Sequence, residues 1–265
     1  MTQPLASWAL TYRYPLWVSL QRFLRRTVIS ATERRTGLSF LCTPGAERMM
    51  PEVFHYRVYD VPTAPVRKGD LVIDVGASHG FVACRYAARG ARVLAIEPDP
   101  DSFLKLQVNV EANGLTHLVQ ALRCAVGAIE EERPLYRSHE YGGGMSTTIS
   151  PRGREQPFHT RDVLPVRIRP LASLWADWGA DRIRLLKLDC EGGELEILQS
   201  LPAPLWNRVD SIAIEAHAFA YPLEALVAQA LERGFHVSRV QSFYPNLHFV
   251  HRNAVLDWAR SEDAT

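Results

Sequence analysis

The chain has 265 residues, 47% hydrophobic and 22% charged, which is globular usage and leaves ample apolar material for a buried core. Thirty basic against 29 acidic residues give a net charge of +1, so no overall charge points to a nucleic acid or an acidic polymer as partner. The four cysteines, Cys42, Cys84, Cys124 and Cys190, are scattered singly, which excludes a CxxC zinc site or a disulfide framework and suits a reducing compartment.

No apolar run has the length of a bilayer span, and the first residues lack the regions of a signal peptide, so the expectation is a cytoplasmic protein. Residues 1–65 read as an N-terminal helical cap or lead-in, and 66–265 as the main domain. Within the front section, residues 14–29 read as a helix opened by Pro15. Leu16, Leu20, Phe23, Leu24 and Thr27 fall on one side, and Arg22, Arg25 and Arg26 lie toward the other. Such a helix either docks on a membrane surface or partner, or packs its apolar side on the main domain. Base rates for amphipathic helices favour packing.

The main domain alternates strand and helix. Leu71–Val75 is a buried strand, Ser78–Arg89 a helix, Arg92–Glu97 a second strand, Asp99–Asn113 a second helix, and Leu118–Val126 a third strand. Short crossovers of this kind imply a parallel sheet. Residues 127–170 interrupt the pattern. The Gly-, Ser- and Pro-rich stretch over 139–156 reads as a loop or hairpin inserted at about 130–170, and suits a binding loop or a surface insertion. Ile183–Asp189 is a fourth strand, Gly193–Leu201 a helix, Val209–Glu215 a fifth strand and Pro222–Arg233 a helix. Phe235–Val240 and Leu247–Val250 then form an antiparallel edge pair.

Three clusters carry chemistry. In the first, a strand ends in Asp74, a turn holds Gly76, Ser78 and Gly80, and a second strand ends in Glu97-Pro98, 21 residues beyond Gly76. A carboxylate so placed accepts hydrogen bonds from ribose hydroxyls. The glycines let backbone approach a ligand closely, and Asp74 suits the ammonium end of a methionine moiety. A dinucleotide fingerprint would need glycine at Ser78 and Phe81 as well, so a nicotinamide-dependent oxidoreductase is a poor match. In the second cluster Asp189 ends a buried strand and is followed by Glu191 and Glu194, which helix capping alone could explain. In the third, Glu215 and His217 end the next strand on one face. Asp189 or His217 is the candidate base for a hydroxyl proton, with Glu215 beside them. A divalent ion held by Asp189, Glu215 and His217 ranks below a metal-free site.

Taken together, the segments Asp74-Val75-Gly76-Ala77-Ser78-His79-Gly80, Glu97-Pro98 and Lys187-Leu188-Asp189-Cys190-Glu191-Gly192-Gly193-Glu194 resemble the FkbM family of methyltransferases over about residues 50–252. The resemblance implies an α/β, Rossmann-like class I methyltransferase fold: a seven-stranded, mostly parallel sheet with an antiparallel last strand. It implies S-adenosyl-L-methionine as cofactor, held by Asp74, Gly76, Ser78, Gly80, Glu97, Pro98, Ala125 and Asp189. It also implies methyl transfer to a hydroxyl or carboxylate of a sugar or secondary metabolite, so the expected partner is a small-molecule acceptor, with a homo-oligomer open. Ser78-His79 replaces the family's usual Asn-Ile, Cys124 stands where Asn is common, and Ala172 replaces an Asp. A non-catalytic adenosine-binding scaffold is the alternative.

Overall fold

The computed structural model describes residues 5–137, 147–150, 162–239 and 246–251. The front section holds α1 (Leu5–Thr11), α2 (Pro15–Phe23), an antiparallel hairpin of β1 (Ile29–Thr32) and β2 (Ser39–Cys42), and a π-helical turn over Pro51–Tyr56. The section is therefore not purely helical. Ile29 and Ala31 alternate with Phe40 and Cys42 to bury one face of the hairpin. The Glu33 carboxylate shapes the turn by accepting from the Arg35 and Thr36 amides and the Thr36 hydroxyl.

Helix α2 corrects two expectations. It spans nine residues rather than sixteen, and Arg25 just beyond it turns left-handed at φ 50°. Its orientation is the reverse of a packed amphipathic helix. Val18 and Gln21 face inward, and the Gln21 amide exchanges two hydrogen bonds with the Ser30 backbone. Leu16, Leu20, Phe23 and Leu24 face outward, with Leu16 85% and Phe23 82% exposed. Hydrophobic spacing identifies a stripe but not the side it turns to.

The main domain follows as β3 (Leu71–Val75), α3 (Phe81–Ala87), β4 (Arg92–Ile96), α4 (Pro100–Ala112), β5 (Val119–Leu122), β6 (Ala125–Gly127), β7 (Glu131–Arg137), β8 (Thr147–Thr148), β9 (Asp162–Pro170) and α5 (Leu171–Trp178). It ends with β10 (Ile183–Leu188), α6 (Glu194–Ser200), α7 (Ala203–Trp206), β11 (Val209–Glu215), α8 (Leu223–Glu232), β12 (Phe235–Arg239) and β13 (Asn246–His251). Among the described residues the main sheet has seven strands in the order β12-β13-β11-β10-β3-β4-β5, and β13 runs antiparallel to both of its neighbours.

The stretch Leu118–Val126, expected as one strand, is two. β5 pairs with β4 in the main sheet, the chain turns at Arg123 and Cys124, and β6 pairs with β9 in a second sheet of order β6-β9-β7-β8. An apolar run carries no mark of which sheet it serves. A Cβ on Gly127 would stand 2.6 Å from Ile168, so glycine permits the close approach of β6 to β9. The expected loop or hairpin at 130–170 holds β7, β8 and β9 of this sheet; residues 138–146 and 151–161 lie outside the described residues.

Alternation along the strands splits the core in two. Val72, Val93, Ala95, Leu185 and Ala213 face one layer with α3, α4 and the front section, where Tyr12, Phe40, Met50 and Phe54 meet Phe81 and Leu106. Ile73, Val75, Leu94, Ile96, Leu186, Leu188, Ile212 and Ile214 face the other layer. Trp175, Leu198, Trp206 and Leu226 cover them there. Both faces of the sheet are buried, as a parallel sheet requires. No helix among the described residues is long and apolar enough to cross a membrane.

Candidate active site

The carboxyl ends of β3, β4, β10 and β11 converge, the place where open α/β sheets bind ligands. After β3 the turn carries Gly76 at φ 73°, Ser78 at φ 49° and Gly80 at φ 83°. A Cβ at Gly76 would lie 1.7 Å from the Asp189 carbonyl oxygen, and one at Gly80 would meet Leu106 at 2.6 Å. Both glycines thus let the turn nest against protein, Gly76 against the very loop that carries Asp189. Ser78 tolerates its left-handed backbone because its amide donates to Glu97 Oε2 at 2.7 Å and its hydroxyl bonds His79 Nδ1 at 3.0 Å. His79 is buried against Thr43 of the front section, and burial pushes its imidazole down to about 4, so it is neutral and structural.

Glu97 is buried at the end of β4 and accepts from the Ser78 and Asp99 amides, one on each oxygen. Burial pushes its carboxyl up to about 8 in spite of those bonds. Each oxygen keeps a second lone pair for an incoming donor. The half-buried Pro98 follows, and Asp99 caps α4 by accepting from the Asp101 and Ser102 amides. Ala125 is 5% exposed at the start of β6, opposite Ile168 of β9.

Asp74 does not stand open toward a ligand. It is fully buried, with Lys187 Nζ 3.1 Å from its Oδ1. Lys187 also donates to the Val75 and Gly76 carbonyls and lies 3.6 Å from Asp189 Oδ2. A buried ammonium survives only when paired and hydrogen-bonded, and these acids hold Lys187 charged against burial. Lys187 therefore ties the ends of β3 and β10 together, and Asp74 is its counter-ion.

Beyond β10 and β11 lie the candidate catalytic groups. The Tyr59 hydroxyl stands 2.7 Å from Asp189 Oδ2 and 3.0 Å from Glu215 Oε2. A phenol has one proton to give. Burial, then the Asp189 charge, pushes Glu215 up to about 8, so its own proton can complete the second bond. His217 Nδ1 bonds Glu194 Oε1 at 2.9 Å and its Nε2 faces Glu191 Oε2 at 3.3 Å. Burial works against charge on the ring, but the two carboxylates prevail and raise His217 to about 10. The two carboxylates thus favour the imidazolium, a form with no lone pair to take a proton.

Glu194 is fully buried at the first position of α6. It accepts from His217, the Tyr221 hydroxyl and the Cys190 and Gly192 amides, and against its burial this holds it down at about 2. It both shapes the turn before α6 and charges His217. Glu191 takes φ 55°, and its carbonyl accepts from Thr148, so the described tip of the inserted region touches the site loop.

Candidate ligand atoms of Asp189, Glu215 and His217 lie within 4.8 Å of one another. The three side chains do converge. His217 Nδ1 is bonded to Glu194 and its Nε2 faces Glu191, so the protonated ring offers no lone pair, and a metal ion would have to displace the Nε2 proton to bind there.

Residues 74–237 match the family description "Methyltransferase FkbM domain". The chain belongs to the FkbM methyltransferase family. It is 25% identical over 219 residues to methyltransferase sdnD of Sordaria araneosa, covering 73% of this chain and 83% of the relative. It is also 25% identical over 216 residues to the 31-O-demethyl-FK506 methyltransferase FkbM of Streptomyces tacrolimicus, covering 72% and 82%. The crystal structure of methyltransferase FkbM from Methylobacillus flagellatus superposes with a TM-score of 0.50 at 16% identity, over 77% of this chain and 52% of that one. The fold is accordingly that of a class I methyltransferase, and the FkbM match runs from Asp74 to β12. Tyr59 lies outside the matched segment.

Proposed function

We propose that this FkbM methyltransferase uses S-adenosyl-L-methionine to methylate a hydroxyl group of a sugar or secondary metabolite. The observation that carries the reading is the joining of two sites at one sheet end. The Glu97 carboxylate with spare lone pairs fits vicinal ribose hydroxyls, and the Asp189–Tyr59–Glu215 cluster stands next to the turn that Gly76 forms. The cofactor would supply an electrophilic methyl group. Glu97, Ser78 and the Gly76–Gly80 turn would hold it, with Pro98 and Ala125 at the far side.

A hydroxyl acceptor must lose its proton as it attacks, and a positioned base contributes roughly 10²–10⁴-fold. Asp189 is the group for that task. Its side chain is 13% exposed and so remains accessible, and it is held in place by Tyr59 and Lys187. His217 is excluded from the base role by its charge and instead offsets Glu191 and Glu194. Carboxylates outnumber cations around the site, with Glu52, Asp189, Glu191 and Glu194 against Lys187 and His217. A second carboxylate would enter at an electrostatic cost, which favours a hydroxyl acceptor over a carboxylate one.

Isothermal titration with S-adenosylhomocysteine tests the cofactor. The expectation is micromolar binding that weakens in Glu97→Ala. An absence of binding in the wild type would overturn the cofactor assignment. Transfer of labelled methyl to alcohol-bearing, but not acid-bearing, members of an acceptor panel tests the acceptor class.

A further inference from the structure

Helix α2 is built inside out for a water-soluble surface. At 100° per residue, Leu16, Leu20 and Phe23 cluster on the side opposite Val18 and Gln21. The buried side is thus anchored by the hydrogen bonds of an amide, and the open side is leucine and phenylalanine. Trp17 and Leu24 extend that open surface, being 50% and 52% exposed, and Tyr14 and Leu10 continue it beyond Pro15. A contiguous apolar patch of this kind marks an interaction surface.

The charges around the patch state what covers it. Residues 1–46 hold six arginines, Arg13, Arg22, Arg25, Arg26, Arg34 and Arg35, and a single acid, Glu33. Glu33 is buried and spends its carboxylate on its own turn. Arg13 stands just before the helix, and Arg25 and Arg26 just after it, all three exposed. Because the whole chain carries only +1, the remainder is net acidic. An apolar face with tryptophan and tyrosine at its margin and arginines at both ends matches the interface of an anionic bilayer, with rings at headgroup depth and guanidiniums on phosphates. Two copies meeting face to face through the same patch would bring like charges together.

We infer that α2 and its flanking arginines, residues 13–26, dock this protein on an anionic lipid surface. The helix lies in the plane of the interface, with Leu16, Leu20 and Phe23 toward the acyl chains. The inference is independent of the acceptor proposed above.

The test is sedimentation of the full chain with phosphatidylcholine vesicles, plain or containing roughly one part in four phosphatidylserine, whose negative surface potential draws basic segments. The expected result is binding to the phosphatidylserine vesicles, at least about tenfold weaker to plain ones, and released by high salt. Leu16→Ser with Phe23→Ser, and separately Arg25→Glu with Arg26→Glu, should each lower the partition about tenfold or more. The arginine pair sits in an exposed turn, so its loss of binding with an unchanged melting temperature separates docking from folding. Wild-type protein that stays in solution with both vesicles overturns the inference. So does a wild-type dimer, seen by analytical ultracentrifugation, that Leu16→Ser with Phe23→Ser dissolves, because the patch is then covered by a second copy.

Discussion

The Tyr59 hydroxyl reaches Asp189 Oδ2 at 2.7 Å across 130 positions of sequence, and so makes the front section a wall of the active site. Tyr59 is 2% exposed, and its hydroxyl lies between Asp189 and Glu215, able to give its proton to the first and accept from the second. Tyr59→Phe removes that proton while keeping the ring. The expected outcome is a kcat lower by about 10- to 100-fold and a stability loss of about 1–3 kcal/mol, the cost of leaving buried partners unmatched. Affinity for S-adenosylhomocysteine should stay within about twofold. Steady-state kinetics beside a thermal melt decide it, and an unchanged kcat removes Tyr59 from the reaction.

Asp189 and His217 are separable by substitution. Asp189→Asn should lower kcat by about 10²–10⁴ with the cofactor still bound. His217→Gln keeps a donor toward Glu194 and should cost less, because the imidazolium takes up no proton during the reaction. Equal losses in the two variants would return the base role to the imidazole. Since both ring nitrogens face carboxylates, activity of the wild type should also survive exhaustive chelation.

Glu97 links cofactor binding to pH. Its carboxyl stands at about 8, and the ionised form is the one that accepts from two hydroxyls at once. Affinity for S-adenosylhomocysteine should therefore rise between about pH 7 and 9 in the wild type and stay flat in Glu97→Gln. At pH 9 the variant should bind about 10- to 100-fold more weakly, the worth of one or two lost hydrogen bonds to a charged group. Titrations across that range measure both. A flat wild-type profile would mean that Glu97 is not the ribose acceptor.

The strand positions, the glycine turn and the acids at the strand ends are legible because each rests on local pattern: apolar runs closed by Asp74, Glu97, Asp189 and Glu215. Roles were less legible than positions. Asp74 reads as a ligand group until Lys187 is seen beside it, and a lysine between Leu186 and Leu188 in a buried strand was the available sign that a buried acid must answer it. His217 reads as a base until Glu191 and Glu194 fold onto its two nitrogens, a fact of tertiary structure. Tyr59 had no local signal, since its partners are 130 and 156 positions away. Leu16 and Phe23 belong to a stripe that their spacing shows, and the stripe is real. Only the fold shows that Gln21 wins the inward side by bonding Ser30.

Gly76 and Gly114 form a matched pair for backbone strain. Both have positive φ, 73° and 68°, but a Cβ at Gly76 would strike the Asp189 carbonyl while nothing lies within 4 Å of one at Gly114. Gly114→Ala should cost about 1 kcal/mol, the left-handed penalty alone. Gly76→Ala must also push the Asp189 loop aside, and should cost about 3 kcal/mol or more and abolish activity. Denaturant melts of the two variants give the comparison. Similar losses would mean that the turn at Gly76 moves away freely.

The His217–Glu194 pair predicts the shape of stability against pH. His217 is raised in the folded protein to about 10 from an ordinary 6.5, so its contribution is complete below about pH 6.5 and is lost as pH climbs through 10. Glu194 is lowered to about 2 from 4.5, so its contribution is complete above about pH 4.5 and is lost as pH falls toward 2. The pair is thus at full strength between about pH 4.5 and 6.5, below neutrality. His217→Gln removes the titrating ring but leaves the Glu194 carboxylate with Tyr221 and two amides. Melting temperatures taken from pH 6.5 to 10 should fall in the wild type and fall less steeply in His217→Gln, so that the two curves converge on the alkaline side. Parallel curves would mean that His217 is neutral in the folded protein, and the imidazole would again be available as the base.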